Sequence, residues 1–168
     1  MHNFFKGKLL TAVEYANGGK VSYTYDSVKR TSGIGDDGAT EPRFTYEYGA
    51  NGAVGHVKDA ELNREACVAY DLVDRPVEAE LYENGALQYR LTQEYDRFEQ
   101  PTVLRERVEA ADNTRSEYTV TVSYDKESRP AALTCESSLT TAAGVADVVS
   151  KRKLVYRYDR LGKSSIGF

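Results

Sequence analysis

Tryptophan is absent from this chain, and the residues that most often carry metal, redox or nucleophilic chemistry are scarce: two Cys, two His and one Met in 168 residues. Two cysteines at this length exclude a disulfide-stapled miniprotein. Cys67 and Cys135 each sit in an alternating segment and read as two separate strand cysteines, with nothing in the sequence to set the distance a disulfide needs. His2 and His56 have no cysteine at finger-like spacing, so no zinc site is expected. Ser/His/Asp catalysis would have only these two histidines to draw on, neither in a nucleophile-elbow context. The glycines of "GIGDDG" lack the strand–helix frame that gives a phosphate loop its meaning. Acids and bases are interspersed around a net charge of −4, with no basic stripe, so no nucleic-acid partner is expected. No apolar run approaches membrane-spanning length, which argues against membrane insertion. The opening "MHNFFKGKLL" lacks the apolar core and small-residue cleavage site of a signal peptide. The expectation is a chain with no enzymatic activity, metal or cofactor.

What is abundant is tyrosine, 13 residues against 5 Phe, in a chain that is 40% hydrophobic and 29% charged, a composition typical of globular proteins. The tyrosines are phased. "CVAYDLVDRP", "VTVSYDKESRP" and "LVYRYDRLGK" are variants of one phrase. With the Tyr of each phrase as origin, the origins are Tyr25, Tyr48, Tyr70, Tyr95, Tyr124 and Tyr158, separated by 23, 22, 25, 29 and 34 residues on subtraction. The next residue is Asp26, Asp71, Asp96, Asp125 and Asp159, with Gly49 once. Five residues after the origins stand Arg30, Ala53, Arg75, Gln100, Arg129 and Lys163. Six after stand Pro76, Pro101 and Pro130, three of the chain's four prolines. A degraded seventh origin is read at Asn3. Self-similarity at this period is the signature of a repeat architecture.

The segments before the origins alternate: Val21, Tyr23 and Tyr25 against Ser22 and Thr24; Phe44, Tyr46 and Tyr48 against Thr45 and Glu47; Val120, Val122 and Tyr124 against Thr121 and Ser123. Period two with one apolar face predicts half-buried strands of an antiparallel sheet. The Asp after each origin suits an Asx turn, and Pro suits the first residue of the strand that follows. Ile34, Val57, Ala79, Leu104 and Leu133, nine residues after their origins, predict a common inward position. "YANGGK" and "YENGAL" place Asn-Gly between alternating runs, the signal for a type I′ hairpin. A longer joint, "SSLTTAAGVADVVSK", has room for a short helical turn. The expected fold is all-β: sequential antiparallel hairpins, about a dozen strands in a twisted, curled meander, forming one array of about six units over residues 1–168.

These phrases resemble the Tyr-Asp repeats of the Rhs family, found in bacterial wall-associated proteins, polymorphic toxins, the cage component of insecticidal toxin complexes and animal teneurins. The family pattern is roughly Tyr-Asp-x-x-Gly-Arg with an Asn-Gly hairpin half-way round. The resemblance covers nearly the whole chain. It departs at the Gly, which Gly52 and Gly162 keep and Lys29, Asp74, Glu99 and Ser128 replace, putting the turn type of those copies in question. The resemblance implies a β-spiral segment of a longer array, serving as a structural shell or cell-surface scaffold in a secreted or surface-borne parent protein, with an encapsulated toxin domain as one partner. It carries over no self-cleavage, since no Asp-Pro occurs.

Each candidate site has a plain structural reading beside the functional one. The phased aspartates read as turn caps rather than calcium or acid–base carboxylates. Arg30, Arg75 and Arg129 read as their surface partners, worth about 0–1 kcal/mol each. Tyr25, Tyr46, Tyr48, Tyr70, Tyr89, Tyr95, Tyr124 and Tyr158 form a ligand or packing face. Packing is the first reading of it, and stacking on carbohydrate is the alternative. An apolar face and sheet edges left uncovered also predict a homodimer.

Overall fold

The computed structural model describes residues 1–158 and 164–167. Among them are fourteen strands and no helix. The first six are β1 (His2–Lys6), β2 (Leu9–Glu14), β3 (Lys20–Tyr25), β4 (Thr31–Asp36), β5 (Phe44–Tyr48) and β6 (Val54–Asp59). The remainder are β7 (Arg64–Tyr70), β8 (Pro76–Glu83), β9 (Ala86–Tyr95), β10 (Pro101–Glu109), β11 (Arg115–Tyr124), β12 (Pro130–Thr140), β13 (Ala146–Tyr158) and β14 (Ser164–Gly167). Pairing is antiparallel, and hydrogen-bonded neighbours follow chain order from β1 to β14, the meander that the phased alternation predicts. The count exceeds a dozen because β1 and β2 form a further hairpin ahead of the six that the origins Tyr25 to Tyr158 close. The joint with room for a short helical turn closes a hairpin, with Thr141 and Val145 bonded across the turn between β12 and β13. The chain divides into two compact units, Met1–Val68 with Leu81–Ala86, and Ala69–Glu80 with Leu87–Phe168.

The register repeats as strictly as the sequence. Five origins pair with the residue six later: Tyr25↔Thr31, Tyr48↔Val54, Tyr95↔Pro101, Tyr124↔Pro130 and Tyr158↔Ser164. The residue nine after an origin pairs with the one two before it: Ile34↔Tyr23, Val57↔Tyr46, Leu104↔Gln93 and Leu133↔Val122. These inward positions are half-buried as expected, as is Ala79. Between the two pairs one residue is skipped, a bulge at Ser32, Gly55, Thr102 and Ala131. Bulges bend a strand and raise its twist. The same bulge falls at Thr11 in the first hairpin, where Phe5 pairs with Leu10 across the two-residue turn of Gly7 and Lys8. The first origin is therefore Phe5 and not Asn3; a turn one residue shorter had shifted the apparent phase. The widening separation of origins has a simple cause: β1–β6 have five or six residues, whereas β9–β13 have nine to thirteen.

Burial is shallow. Only Ala12 and Val13 are buried apolar residues among those described, and alternation puts them on opposite faces of β2. In the second unit, one face carries Leu104, Val120, Val122, Leu133 and Leu154, and the other carries ion pairs such as Arg105–Glu94 and Lys151–Glu136. In the first unit, the chain folds over its own sheet where glycine allows it. A Cβ on Gly35 would lie 2.9 Å from both the Arg43 amide nitrogen and Pro42 Cα, and one on Gly33 would lie 2.6 Å from Thr24 Oγ1 and 2.9 Å from Pro42 Cγ. The two glycines of "SGIGD" thus let residues 42–43 lie directly on β4. Gly35→Ala is expected to lose about 1–3 kcal/mol, the usual cost of overpacking, because it meets backbone that cannot rotate away. Urea unfolding monitored by circular dichroism measures the loss. A change below about 0.5 kcal/mol would mean that the segment lifts off freely.

Candidate functional site

The Tyr-Asp phrases build one turn, copied with little variation. In the first complete copy, Lys29 N donates to Asp26 O and Asp26 N to Arg30 O. The same two bonds link Gly49 with Gly52 and Ala53, Asp71 with Asp74 and Arg75, Asp96 with Glu99 and Gln100, and Asp125 with Ser128 and Arg129. The fourth position is left-handed in every copy: Lys29 (φ 69°), Gly52 (79°), Asp74 (64°), Glu99 (65°) and Ser128 (65°). This answers the question raised by the missing glycines: the turn is unchanged, and the replacements accept a conformation that costs L-residues free energy. The opposite corners use the same turn at Tyr15–Gly19, Ala110–Thr114 and Thr141–Val145. "YANGGK" is therefore not type I′: only Gly18, not Asn17, has positive φ. "YENGAL" is as expected, with Asn84 (53°) and Gly85 (76°) both positive.

The aspartates hold these turns. Oδ1 of Asp26 accepts from Val28 N and Arg30 N at 3.0 and 2.8 Å. Asp71, Asp96 and Asp125 accept from the corresponding two amides. Oδ2 then takes a charge-assisted bond from arginine Nε: Arg30 at 2.7 Å, Arg75 at 2.7 Å and Arg129 at 2.8 Å. The Arg75 amide, with the Arg75 guanidinium and the Val73 amide, holds the Asp71 carboxyl below its ordinary 3.8 despite some desolvation, and the equivalent Arg129 and Glu127 groups lower Asp125. Asp159 lies outside the described residues.

Arginine does more than pair with the acid. Each guanidinium lies over the ring of the next origin tyrosine: Arg30 over Tyr48 at 4.2 Å, Arg75 over Tyr95 at 4.3 Å and Arg129 over Tyr158 at 4.3 Å. Those tyrosines, and Tyr124 with them, reach back to the preceding hairpin. Tyr48 Oη donates to Thr31 O at 2.6 Å, Tyr95 to Pro76 O, Tyr124 to Pro101 O and Tyr158 to Pro130 O. Tyr25 makes the equivalent bond to Leu10 O. For Leu10, Thr31, Pro101 and Pro130 the acceptor is the carbonyl just before the bulged residue, where the strand ladder is locally disrupted. Asp, Arg and Tyr thus form a clasp: the acid fixes its own turn and aims the arginine, and the arginine holds the next repeat's ring. The surface-pair reading of the arginines falls short here, because a guanidinium fixed by carboxylate and ring at once is no longer an isolated exposed pair.

The clasp absorbs most of the tyrosine face. Tyr46 and Tyr70 are half-buried, Tyr46 opposite Val57. Tyr89 is half-buried, and desolvation and the charge of the Glu106 carboxylate push its phenol up. Neither cysteine is in a disulfide; Cys135 beside it, together with burial, pushes the phenol of Tyr118 up. No cluster of three potential metal ligands occurs among the described residues, and no helix there is long and apolar enough to cross a membrane. No protein-family model and no curated protein matches the chain.

Two measurements test the clasp. Because Asp71 and Asp125 titrate below 3.8 when folded, their contribution is complete above the unfolded value and is lost as pH falls through the folded one. The melting temperature is expected to hold steady from pH 7 to about 5 and to fall below about pH 4, with a smaller fall in Asp71→Asn, which already starts lower. Equal acid falls in both proteins would remove Asp71 from the account. Tyr48→Phe, which keeps the ring and loses one bond, should cost about 0.5–1.5 kcal/mol in denaturant unfolding.

Proposed function

We propose that this chain is a non-catalytic structural repeat module, a segment of the scaffold or shell of a larger surface-borne or secreted protein. The observation that carries the reading is the clasp. The residues that repeat most faithfully are spent on holding one hairpin to the next, through Asp26, Arg30 and Tyr48, Asp71, Arg75 and Tyr95, and Asp125, Arg129 and Tyr158. Sequential hairpins joined by such contacts can be extended without limit, since each needs only its neighbours. An enclosed toxin domain in the parent protein belongs to the same proposal.

The clasp weighs against a carbohydrate-binding face. A sugar platform needs open rings and available hydroxyls, and here five origin hydroxyls already donate to carbonyls while three rings lie under guanidinium. A glycan array probed with the intact chain should give no signal that Tyr46→Ala or Tyr89→Ala abolishes. A tyrosine-dependent hit would replace the scaffold reading with the sugar-binding one. The scaffold reading also expects copies to meet through exposed apolar side chains on one face of the second unit, Val108, Tyr118 and Leu139. Light scattering across a wide concentration range should give a mass that rises toward the dimer; a strictly monomeric mass at high concentration would remove the homodimer.

A further inference from the structure

The clasp is incomplete at one turn, in a particular way. The turn that lacks arginine at Ala53 lacks the acid too, having Gly49 in its place. The turn of Asp96 keeps the acid and has Gln100 where its sisters have arginine. Asp96 Oδ1 accepts from Phe98 N and Gln100 N at 2.8 and 3.0 Å, as in the sister turns, but no cation among the described residues is paired with the carboxylate. The Gln100 amide reaches instead to Ser128 O at 3.0 Å. Tyr124, the next origin tyrosine, keeps its bond to Pro101 O at 2.7 Å, so its ring stands where Tyr48, Tyr95 and Tyr158 stand. The space that arginine fills elsewhere is a cavity of about 460 Å³, lined by Asp96, Phe98, Gln100, Tyr124, Lys126 and Ser128 among others. The Asp96 charge reaches the ring, helping burial to push the Tyr124 phenol up. The cations at the rim are turned elsewhere: Arg97 lies over the Phe98 ring at 4.6 Å and Lys126 pairs with Glu127 at 3.4 Å.

We propose that the cavity between Asp96 and Tyr124 is a receptor for a guanidinium group, the arginine side chain of another polypeptide, which completes there the clasp that the chain's own arginines complete in three other turns. The chain supplies the template for the fit. A guanidinium in the sister turns donates to Asp Oδ2 at 2.7–2.8 Å and stacks at 4.2–4.3 Å from the tyrosine ring. A planar cation with several donors satisfies both contacts, whereas an ammonium offers a point charge and no plane to stack.

The test titrates the chain with N-acetyl-arginine amide, N-acetyl-lysine amide and N-acetyl-citrulline amide, the last a neutral isostere, while following the Tyr124 ring resonances by NMR. The arginine compound should give saturable shifts with Kd in the millimolar range. The lysine compound should bind more weakly, and the citrulline compound at least about tenfold more weakly. Asp96 also holds two amides of its turn, so Gln100→Arg, which leaves Asp96 in place, is the deciding variant. It should fill the cavity from within, raise the melting temperature and weaken arginine binding at least about tenfold. Absence of a saturable shift at Tyr124, equal binding of citrulline, or undiminished binding in a folded Gln100→Arg chain would each overturn the proposal. None of these outcomes touches the scaffold reading, which rests on the filled clasps.

Discussion

The charge-assisted contact of an aspartate, an arginine four residues on and a tyrosine of the next repeat is the interaction on which this architecture depends. A protein that covers its sheet with a second layer draws most of its stability from apolar burial. Here only Ala12 and Val13 are buried apolar residues among those described, so the sheet's cohesion falls to backbone ladders, half-buried cross-strand pairs and the turns. A turn held only by its own amides would fix one hairpin. By extending the arginine onto the next ring, and the next hydroxyl back onto the carbonyl before the bulge, the repeat couples consecutive hairpins at the corner where β-pairing is interrupted.

The same contact explains why the turn survives without its glycine. Lys29, Asp74, Glu99 and Ser128 adopt left-handed backbone that glycine would accept at no steric cost. The acid that accepts two amides of each of these turns offsets that strain. Gly52 sits in the one copy whose acid is missing, where Asn51 Oδ1 accepts from Ala53 N in partial substitution. Glycine and aspartate are thus partly exchangeable ways of stabilising one backbone path, which is why a motif so degenerate still gives one geometry.

Variation between copies then takes on meaning. A copy that loses acid and arginine together has dropped the clasp; a copy that loses arginine alone leaves a carboxylate beside a tyrosine ring and a cavity over both. The chain holds both kinds, at Gly49 and at Asp96. The difference follows from the chemistry of the pair, because a carboxylate at the edge of a cavity keeps attracting a cation whichever chain supplies it.

Much of the fold was legible in the sequence because alternation and turn chemistry are local. Phe44, Tyr46 and Tyr48 against Thr45 and Glu47, or Pro130 opening β12, needed no knowledge of distant residues. Registers within each origin hairpin followed for the same reason, as turn length fixes pairing. What failed was also local in cause: "YANGGK" and "YENGAL" share Asn-Gly, yet the extra loop residue after Tyr15 selects a different turn, and a shortened first turn disguised Phe5 as an ordinary strand residue. The clasp lay beyond sequence reading because Arg30 and Tyr48 are eighteen residues apart on subtraction, and nothing in their spacing says that a bulged strand will carry one ring under the other's guanidinium. By itself the sequence determined which residues form strands, where the corners fall and that one unit is copied. Only the tertiary structure decided what the copied residues do, because stacking and hydroxyl-to-carbonyl bonds are set by distances across strands, and it is pairing between strands, not spacing along the chain, that brings those groups together.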